Sequence, residues 1–233
     1  MALGILYVAA TPIGNLEDVT LRFLRILKEA DYILCEDTRT TKRLLDRYEL
    51  TIPSISYHQH SSPAKIQQLL DYLAEGKKLV LVSDAGTPGI SDPGVVLIAA
   101  ALKRYGAELS IVPLPGASAL ISAVSISGWP CERFSFFGFL PHKKGRQSMM
   151  KEIFASNYPV VFYESKHRLA KCLKELTVMS QDLNVKVELM IARELTKMHE
   201  SVYYGQPEEL LEKLQNDLDM QKGEFVLLLR KIK

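Results

Sequence analysis

The sequence predicts an α/β protein with two α/β domains, the N-terminal one built on a largely parallel sheet and the C-terminal one on a mixed sheet. Over about the first 115 residues, short apolar runs alternate with stretches of helical apolar spacing, which is typical of a parallel sheet covered by helices on both faces. Later strand-like runs follow one another with short connections, which favours a mixed sheet. We predict domains of residues 1–116 and 117–233, with a ligand cleft between them.

In the first half, apolar runs bounded by turn residues predict the strands. They cover residues 5–9, 32–35, 79–82 and 109–112, with a short strand around Ile55 and Tyr57. Apolar residues at helical spacing predict helices over residues 16–29, 38–48, 64–75 and 95–105. Gly76 and Gly106 directly follow two of these segments, as expected at helix ends.

In the second half, the same patterns predict five strands and three helices. The predicted strands are residues 134–140, 160–163, 185–191, 201–204 and 224–229. The predicted helices are residues 117–127, 169–177 and 207–216. The basic segment HKKGR, residues 142–146, is predicted to be a loop.

Charge and cysteine content narrow the functional classes. The chain has 233 residues and a formal net charge of only +2, so a nucleic-acid surface would have to be a local patch. Its three cysteines, Cys35, Cys131 and Cys172, are far apart and predict neither a disulfide framework nor a zinc site. No apolar run reaches the roughly 18 residues of a membrane helix. We expect a cytoplasmic protein with no membrane segment.

The segment SDAGTPGISDPG, residues 83–94, joins a predicted strand to a predicted helix. Ligands of parallel sheets bind beyond the carboxyl ends of strands. The glycines allow close approach of the backbone, Pro88 and Pro93 stiffen the segment, and Asp84 can accept hydrogen bonds from an amine or a ribose hydroxyl. The segment therefore predicts a ligand loop; the alternative is a tight structural turn with solvated aspartates.

Two further loops follow strands. In residues 113–128 a Pro-x-Pro-Gly turn precedes small residues at a helix start, where free N–H groups can hold a carboxylate. The alternative is a helix packed through small residues. The loop ATPIGNLEDVT, residues 10–20, resembles a ligand loop but contains no G-x-G-x-x-G, and the chain has no Walker phosphate loop. These absences argue against ordinary dinucleotide enzymes and P-loop ATPases.

Four charged segments admit two interpretations each. EDTRTTKR, residues 36–43, is either a capped helix with a solvated face or part of a site. HKKGR is either a solvated loop or a phosphate contact. In residues 162–168 and 191–200, Glu164, Arg193 and Glu194 either form ion-paired scaffolding or face the cleft.

Taken in order, the segments ATPIGNLEDVTLR, EDTR, SDAGTPGISDPG, PLPGASA, FFGFLP, FYESKHR, ARELTK and GEFVLLL closely resemble the ribosomal RNA small-subunit methyltransferase I family, within the tetrapyrrole methylase superfamily. The resemblance spans essentially the whole chain. The first loop of this chain departs from the wider superfamily, in which that loop is richer in glycine. This difference argues against a tetrapyrrole as the substrate.

The resemblance implies S-adenosylmethionine bound between two α/β domains and methylation of a ribose 2′-hydroxyl of a cytidine in the decoding region of 16S rRNA. It also implies a cytoplasmic homodimer that acts on the small ribosomal subunit. By position it implies these cofactor contacts: Pro12, Ile13, Asp84, Gly86, Thr87, Pro115, Gly116, Ser118, Ala119, Phe162, Tyr163 and Ala192.

Methyl transfer to a hydroxyl requires a group that removes its proton, and a carboxylate or a neutral lysine can do so. The candidates, which the sequence does not rank, are Glu36, Asp37, Glu164 and Glu194, with Lys197 behind them. The predicted phosphate contacts are Arg39, Lys143, Lys144 and Arg146. No metal site is predicted.

Three other functions remain open at this point. The first is a methyltransferase acting on a tetrapyrrole, and the second is a non-catalytic ribosome-binding module of the same fold. The third is a phosphate-ester hydrolase, since acidic strand ends can hold magnesium, although the sequence shows no convincing acid cluster.

Overall fold

The computed structural model describes residues 2–92, 94–217 and 219–232. The chain forms two compact units that divide after Ser118. Within the described residues, no helix combines the length and the apolar character needed to cross a bilayer.

The first unit is a five-stranded parallel sheet with helices between the strands. Its strands are β1 (Ile5–Ala9), β2 (Tyr32–Cys35), β3 (Ser54–Ser56), β4 (Lys78–Val82) and β5 (Ser110–Leu114). Its helices are α1 (Leu21–Glu29), α2 (Thr38–Arg47), α3 (Pro63–Ala74) and α4 (Val95–Tyr105). The strand order is β3-β2-β4-β1-β5, which confirms the predicted parallel sheet.

Alternate residues of the central strands supply two separate cores, because successive side chains of a strand point to opposite faces. Val80 and Val82 of β4 pack in one cluster with Phe23 of α1 and Leu44 of α2. Residues 79 and 81 of the same strand pack in the other cluster, with residues of α3 and α4. The first sheet is therefore covered on both faces, as the β-α alternation predicts.

The predicted helix over residues 16–29 is wrong in its first turn. Residues 16–18 form a separate 3₁₀ turn, and α1 begins only after Thr20. Thr20 has an extended backbone, and its Oγ1 accepts a hydrogen bond from the Phe23 amide at 3.1 Å. A threonine in this position satisfies an N–H group that has no partner inside the helix, so it fixes where the helix starts.

The second unit is a five-stranded mixed sheet. Its strands are β6 (Ser135–Phe139), β7 (Val160–Ser165), β8 (Val187–Arg193), β9 (Ser201–Gly205) and β10 (Glu224–Lys231), in the order β6-β7-β10-β8-β9. The β6–β7 pair is parallel and the other pairs are antiparallel, so the predicted mixed sheet is confirmed. Its helices are α5 (Ala119–Ser125), α6 (Arg146–Ala155), α7 (Leu169–Asp182) and α8 (Pro207–Asn216).

Helix α6 corrects the sequence prediction, which left its residues without a helix. Met150, Ile153 and Phe154 are buried in one core with α7, α8 and one face of the sheet. The predicted loop over residues 142–146 therefore ends one residue early, because Arg146 is the first residue of α6. Helix α5, in contrast, is shorter than the predicted segment of residues 117–127.

Candidate functional site

The carboxyl ends of the parallel strands bring several predicted site residues to one edge of the first unit. Glu36 and Asp37 follow β2, and Asp84 comes two residues after β4. Because β2 and β4 are hydrogen-bonded neighbours, these residues meet: the Asp37 amide donates to Oδ1 of Asp84 at 3.1 Å. The loops after β1 and β5 leave from the same edge. This edge is where a parallel sheet binds ligands.

The loops after β1 and β4 interlock at this edge. Thr11 and Gly86 exchange two backbone hydrogen bonds of 3.0 Å each, and Oγ1 of Thr11 donates to the Ser83 carbonyl at 3.0 Å. Gly86 has φ +82, and a Cβ there would lie 3.3 Å from Cγ2 of Ile13. The site thus requires a residue with no side chain at position 86.

The loop after β5 contacts the loops after β1 and β4. A Cβ added to Gly116 would lie 3.0 Å from Cβ of Ala10, and Oγ1 of Thr87 donates to the Ala117 carbonyl at 3.3 Å. The structure therefore brings together the three loops of the first unit that were predicted to hold the cofactor. Pro93, predicted to stiffen the second of them, lies outside the described residues.

The predicted contacts on these loops differ in their exposure. Pro12, Ile13 and Gly86 are buried, whereas Asp84, Pro115 and Gly116 are exposed. A ligand at this edge would therefore meet Asp84 and the backbone of the β5 loop directly. The buried side chain of Ile13 instead packs close to Gly86 of the β4 loop.

Glu36 is the one candidate base whose carboxylate is poorly compensated. Its Oε1 is buried and has no hydrogen-bond partner among the described residues. Burial, together with the negative charges of Asp92 and Asp84, raises the pKa of Glu36 to about 7, against the opposing effect of a hydrogen bond from the Asp84 amide. A base with a pKa near the working pH is well suited to general base catalysis.

Asp92 is a member of this acidic edge that the sequence analysis did not single out. Burial raises its pKa, the Asp84 carboxylate adds to the effect, and a hydrogen bond with Ser83 opposes it. Its position within the loop of residues 83–94, which was predicted to bind a ligand, is the sequence feature that could have identified Asp92. Among the described residues, no three His, Cys, Asp or Glu side chains are grouped so as to hold a metal ion.

Asp37 has a different role from its neighbour. Its carboxylate accepts from the Arg39 backbone amide at 2.8 Å, as an N-cap of α2, and from Nη2 of the Arg39 side chain at 2.6 Å. Those hydrogen bonds hold the pKa of Asp37 at about 2. Asp37 is therefore a poor base. It holds the exposed guanidinium of Arg39, a predicted phosphate contact, at the strand edge.

In the second unit the predicted cofactor contacts lie on opposite faces of the sheet. Phe162 is fully buried in the core under α6, α7 and α8, so its side chain is not available to a cofactor. Tyr163 and Ala192 both pair in register with Val226 of the central strand β10, which places them on the other face together. Ser118 and Ala119 stand at the start of α5.

Glu164 is not a catalytic group but the centre of a buried ion-pair network. Its side chain is fully buried, and its Oε1 lies 2.6 Å from Nη2 of Arg168 while its Oε2 lies 3.2 Å from Nη1 of Arg146. Nε of Arg146 also donates to Glu175 at 2.7 Å. The phosphate contact predicted for Arg146 is corrected by this burial, since the residue is only 3% exposed and is bound by two carboxylates.

Glu194 is likewise a structural carboxylate. Its Oε1 accepts from Nζ of Lys197 at 3.0 Å and from the Glu224 amide at 2.9 Å. Burial would raise the pKa of Glu194, but these bonds outweigh it and lower the pKa. Burial would lower the pKa of Lys197, yet its bonds to both glutamates raise it, so Lys197 is a cation rather than the neutral base that was predicted.

The side chain of Glu194 also explains a glycine nearby. A Cβ added to Gly223 would lie 2.5 Å from Cγ of Glu194, and Gly223 has φ +104. Arg193 is buried and donates to the Lys222 carbonyl at 2.6 Å and to the His199 carbonyl at 2.8 Å. The conspicuous charges of residues 191–200 are thus used to hold the β8–β9 loop and the start of β10.

Comparison with models of known protein families identifies the family of this chain. The family model for Tetrapyrrole (Corrin/Porphyrin) Methylases matches residues 5–211, from β1 into α8, which covers every strand named above except β10. The chain belongs to the tetrapyrrole methylase family. The strand-end loops described above fall within the matched region of this family member.

Several relatives of this tetrapyrrole methylase share its sequence over nearly its full length. A protein of Halalkalibacterium halodurans named Ribosomal RNA small subunit methyltransferase I is 43% identical over 97% of this chain and 75% of its own. Relatives of the same name in Thermotoga maritima and Escherichia coli O157:H7 are 44% and 42% identical, over 90% and 97% of this chain. They are covered over 91% and 77% of their own lengths.

Solved structures with this fold are more distant in sequence. The methyltransferase CobJ aligns with a TM-score of 0.69 at 21% identity, covering 98% of this chain and 94% of its own. A uroporphyrin-III C-methyltransferase from Thermus thermophilus, solved in complex with S-adenosylhomocysteine, aligns with a TM-score of 0.63 at 20% identity, over 97% of each chain. Diphthine synthase aligns with a TM-score of 0.69 at 14% identity, over 96% of this chain and 88% of its own. These alignments confirm the fold.

Proposed function

We propose that this tetrapyrrole methylase family member transfers a methyl group from S-adenosylmethionine to the ribose 2′-hydroxyl of a cytidine in the decoding region of 16S rRNA. The observation that carries the proposal is the set of relatives named Ribosomal RNA small subunit methyltransferase I, which are 42–44% identical over at least 90% of this chain. The substrate is the small ribosomal subunit or its rRNA.

The edge of the first sheet supports cofactor binding. Asp84 is exposed at a strand end, and its carboxylate is suited to the hydroxyls of a ribose or to an amine. Three loops are pinned to one another there, so the backbone of Gly116 and Pro115 is presented in a fixed arrangement. A site fixed before binding loses little conformational entropy when its ligand arrives. From the second unit, Tyr163, Ala192 and Ala119 are the proposed contacts.

Glu36 is the proposed general base. When bound, S-adenosylmethionine supplies a methyl group attached to a positively charged sulfonium. The protein has to orient the ribose oxygen in line with the carbon–sulfur bond and to remove the proton of the hydroxyl. In its ionised form, Glu36 accepts that proton on a carboxylate whose pKa of about 7 lies near neutral pH.

The proposed RNA contacts are Arg39 in the first unit and Lys143 and Lys144 in the second. All three side chains are exposed, so each can reach a phosphate. As a 16S rRNA-modifying enzyme the protein is proposed to work in the cytoplasm. A homodimer, expected from the family resemblance, is part of the same proposal.

A tetrapyrrole substrate is the alternative that the family name raises. The uroporphyrin-III C-methyltransferase compared above is 20% identical to this chain, so its likeness shows the fold alone. The rRNA-named relatives are about twice as similar in sequence.

The test is to incubate the purified protein with radiolabelled S-adenosylmethionine and small ribosomal subunits from a strain that lacks the endogenous activity. Mapping the label to a cytidine ribose in the decoding region is the expected result. Label on a corrin or porphyrin precursor instead of rRNA would overturn the substrate. Calorimetry with the cofactor is the matching control, because failure to bind it would favour a ribosome-binding module over a methyltransferase.

A further inference from the structure

Two short turns of the second unit leave the sheet from adjacent parallel strands. Residues 143–146 follow β6 and residues 165–168 follow β7, and each turn leads directly into a helix, α6 or α7. Because β6 and β7 are parallel neighbours, their carboxyl ends lie at the same edge of the sheet. We refer to the two turns together as the twin basic turns.

Each of the twin basic turns is closed in the same way by an arginine. The Arg146 amide donates to the Lys143 carbonyl at 3.3 Å, and the Arg168 amide donates to the Ser165 carbonyl at 3.0 Å. This bond between the first and fourth residues defines a tight turn. It leaves Lys144 at the tip of one turn and Lys166 and His167 at the tip of the other.

The side chains of the two closing arginines join the turns to one carboxylate. Oε2 of Glu164 binds Arg146, and Oε1 binds Arg168. The same guanidiniums donate to the Pro141 carbonyl at 3.1 Å and to the Leu140 carbonyl at 2.7 Å. Charge-assisted hydrogen bonds of this kind are strong and directional, so the two turns are held in a fixed spacing.

The tips carry positive charge that is not neutralised by the protein. Lys143, Lys144 and Lys166 are exposed, as is His167, and none of them forms an ion pair with another described residue. Below them, two guanidiniums balance the carboxylates of Glu164 and Glu175. The N-termini of α6 and α7, of 10 and 14 residues, have no side-chain cap and add partial positive charge.

A cavity of about 310 Å³ adjoins the second turn. It is lined by Lys166, His167, Gln215 and Gln221, together with the apolar residues Ala170 and Leu214. Lys166 and the two glutamines have side chains that can donate hydrogen bonds to phosphate or ribose oxygens.

We propose that the twin basic turns form one surface that binds phosphates of the RNA backbone, with Lys144 and Lys166 as contacts from the two turns. The inference rests on the proposed function, because it takes RNA as the partner. Glu164 is the positioning residue, since it sets the distance between the turns without touching RNA. The surface is sequence-independent: it holds the strand by its phosphates.

The test compares two double variants of the full chain with the same change in charge. Lys144→Ala/Lys166→Ala removes one lysine from each turn, and Lys151→Ala/Lys174→Ala removes exposed lysines from the same helices, α6 and α7, away from the turns. Binding to a single-stranded RNA oligonucleotide of the decoding region is measured by filter retention over a range of KCl concentrations.

For the turn variant we expect the slope of log affinity against log salt to fall by about 1.4, because each phosphate that the protein no longer binds lowers the slope by about 0.7. If the affinities are equal at 1 M salt, this change in slope corresponds to about 25-fold weaker binding at 0.1 M salt. The control variant should keep the wild-type slope. Equal slopes for the two double variants would overturn the inference, and so would displacement of RNA by polyglutamate at equal charge concentration, which would indicate an acidic protein partner.

Failure of the inference is distinguishable from failure of the proposed function. If the wild-type protein methylates the small subunit but the turn variant binds RNA normally, only the surface is wrong. If the wild-type protein transfers no methyl group to rRNA, the proposed function is wrong and the surface loses its partner.

Discussion

Two edges of this protein are built in the same way and carry opposite charge. In the first unit the carboxyl ends of β2 and β4 gather Glu36, Asp84 and Asp92, and no arginine or lysine forms an ion pair with them among the described residues. In the second unit the carboxyl ends of β6 and β7 lead into turns whose buried carboxylate, Glu164, is bound by two guanidiniums.

The difference shows how charge compensation decides what a carboxylate can do. An uncompensated carboxylate has a raised pKa and can exchange a proton near neutral pH, as Glu36 is placed to do. A buried carboxylate bound by two arginines, as Glu164 is, serves as a structural anchor. A glutamate side chain can therefore act in proton transfer at one edge, as proposed for Glu36, and stabilise the fold at the other, as Glu164 does.

The largest expected effect is on catalysis, from Glu36→Gln. Removal of a general base lowers the rate by about 10²- to 10⁴-fold, measured as kcat for methylation of small ribosomal subunits. Glu75→Gln, at the exposed end of α3, is the matched control and should leave kcat unchanged. A kcat for Glu36→Gln within threefold of wild type would exclude Glu36 as the base.

The same variant should be more stable than wild type in mild alkali. The folded-state pKa of Glu36 is raised from 4.5 to about 7, so the folded protein holds this proton more tightly than the unfolded chain does. The resulting stabilisation is present below pH 4.5 and is lost as the pH rises to 7. Glutamine has no such titration, so the Tm difference between Glu36→Gln and wild type should grow over that interval and then level off.

At the other edge the expected effect is on stability, from Glu164→Gln. Removing one partner of a buried ion network leaves Arg146 and Arg168 without their shared charge and costs roughly 3–5 kcal/mol of unfolding free energy. Chemical denaturation is the measurement. The exposed pair of Arg25 and Glu29 is the comparison, and Glu29→Gln should cost less than about 1 kcal/mol. Similar losses for the two variants would contradict an anchoring role for Glu164.

A smaller effect is expected where the cofactor loops touch. Gly116→Ala places a Cβ 3.0 Å from that of Ala10, and overpacking of this kind costs roughly 1–3 kcal/mol. Since the strain falls on the loops proposed to hold the cofactor, affinity for S-adenosylmethionine should fall about tenfold in a calorimetric titration. Unchanged affinity together with lowered stability would remove this loop from the cofactor site.

The smallest effect is a shift in pH dependence, from Asp92→Asn. The negative charge of Asp92 contributes to the raised pKa of Glu36, so its removal should move the acid limb of the kcat profile to lower pH. The maximum rate at high pH should change little. An acid limb that stays in place would show that another group controls it.

The sequence predicted the sheets and the loop positions well because those signals are local. The strand of residues 32–35 and the helices of residues 95–105 and 207–216 are found where the apolar spacing predicted them. The three strand-end loops meet because a parallel sheet brings carboxyl ends to one edge, which follows from the order of elements.

The roles of the charged residues could not be predicted from local patterns, because they depend on neighbours that are distant in the chain. In the run HKKGR two lysines are exposed and the arginine is buried, and the difference comes from Glu164 and Glu175, 18 and 29 residues away. Glu36 and Asp37 are adjacent, yet their pKa values move in opposite directions, because burial raises that of Glu36 whereas hydrogen bonds from Arg39 lower that of Asp37.

The shared carboxylate of Glu164 has a consequence for how this protein can change. The spacing of the twin basic turns is set by the buried side chains of Glu164 and Arg146 and by the largely buried side chain of Arg168. Positions 143, 144, 166 and 167 are therefore free to be exchanged one at a time without loosening the frame that carries them. Substitutions at these exposed positions can therefore adapt the surface to bind a different polyanion, or to bind at a different salt concentration, while the fold remains the same.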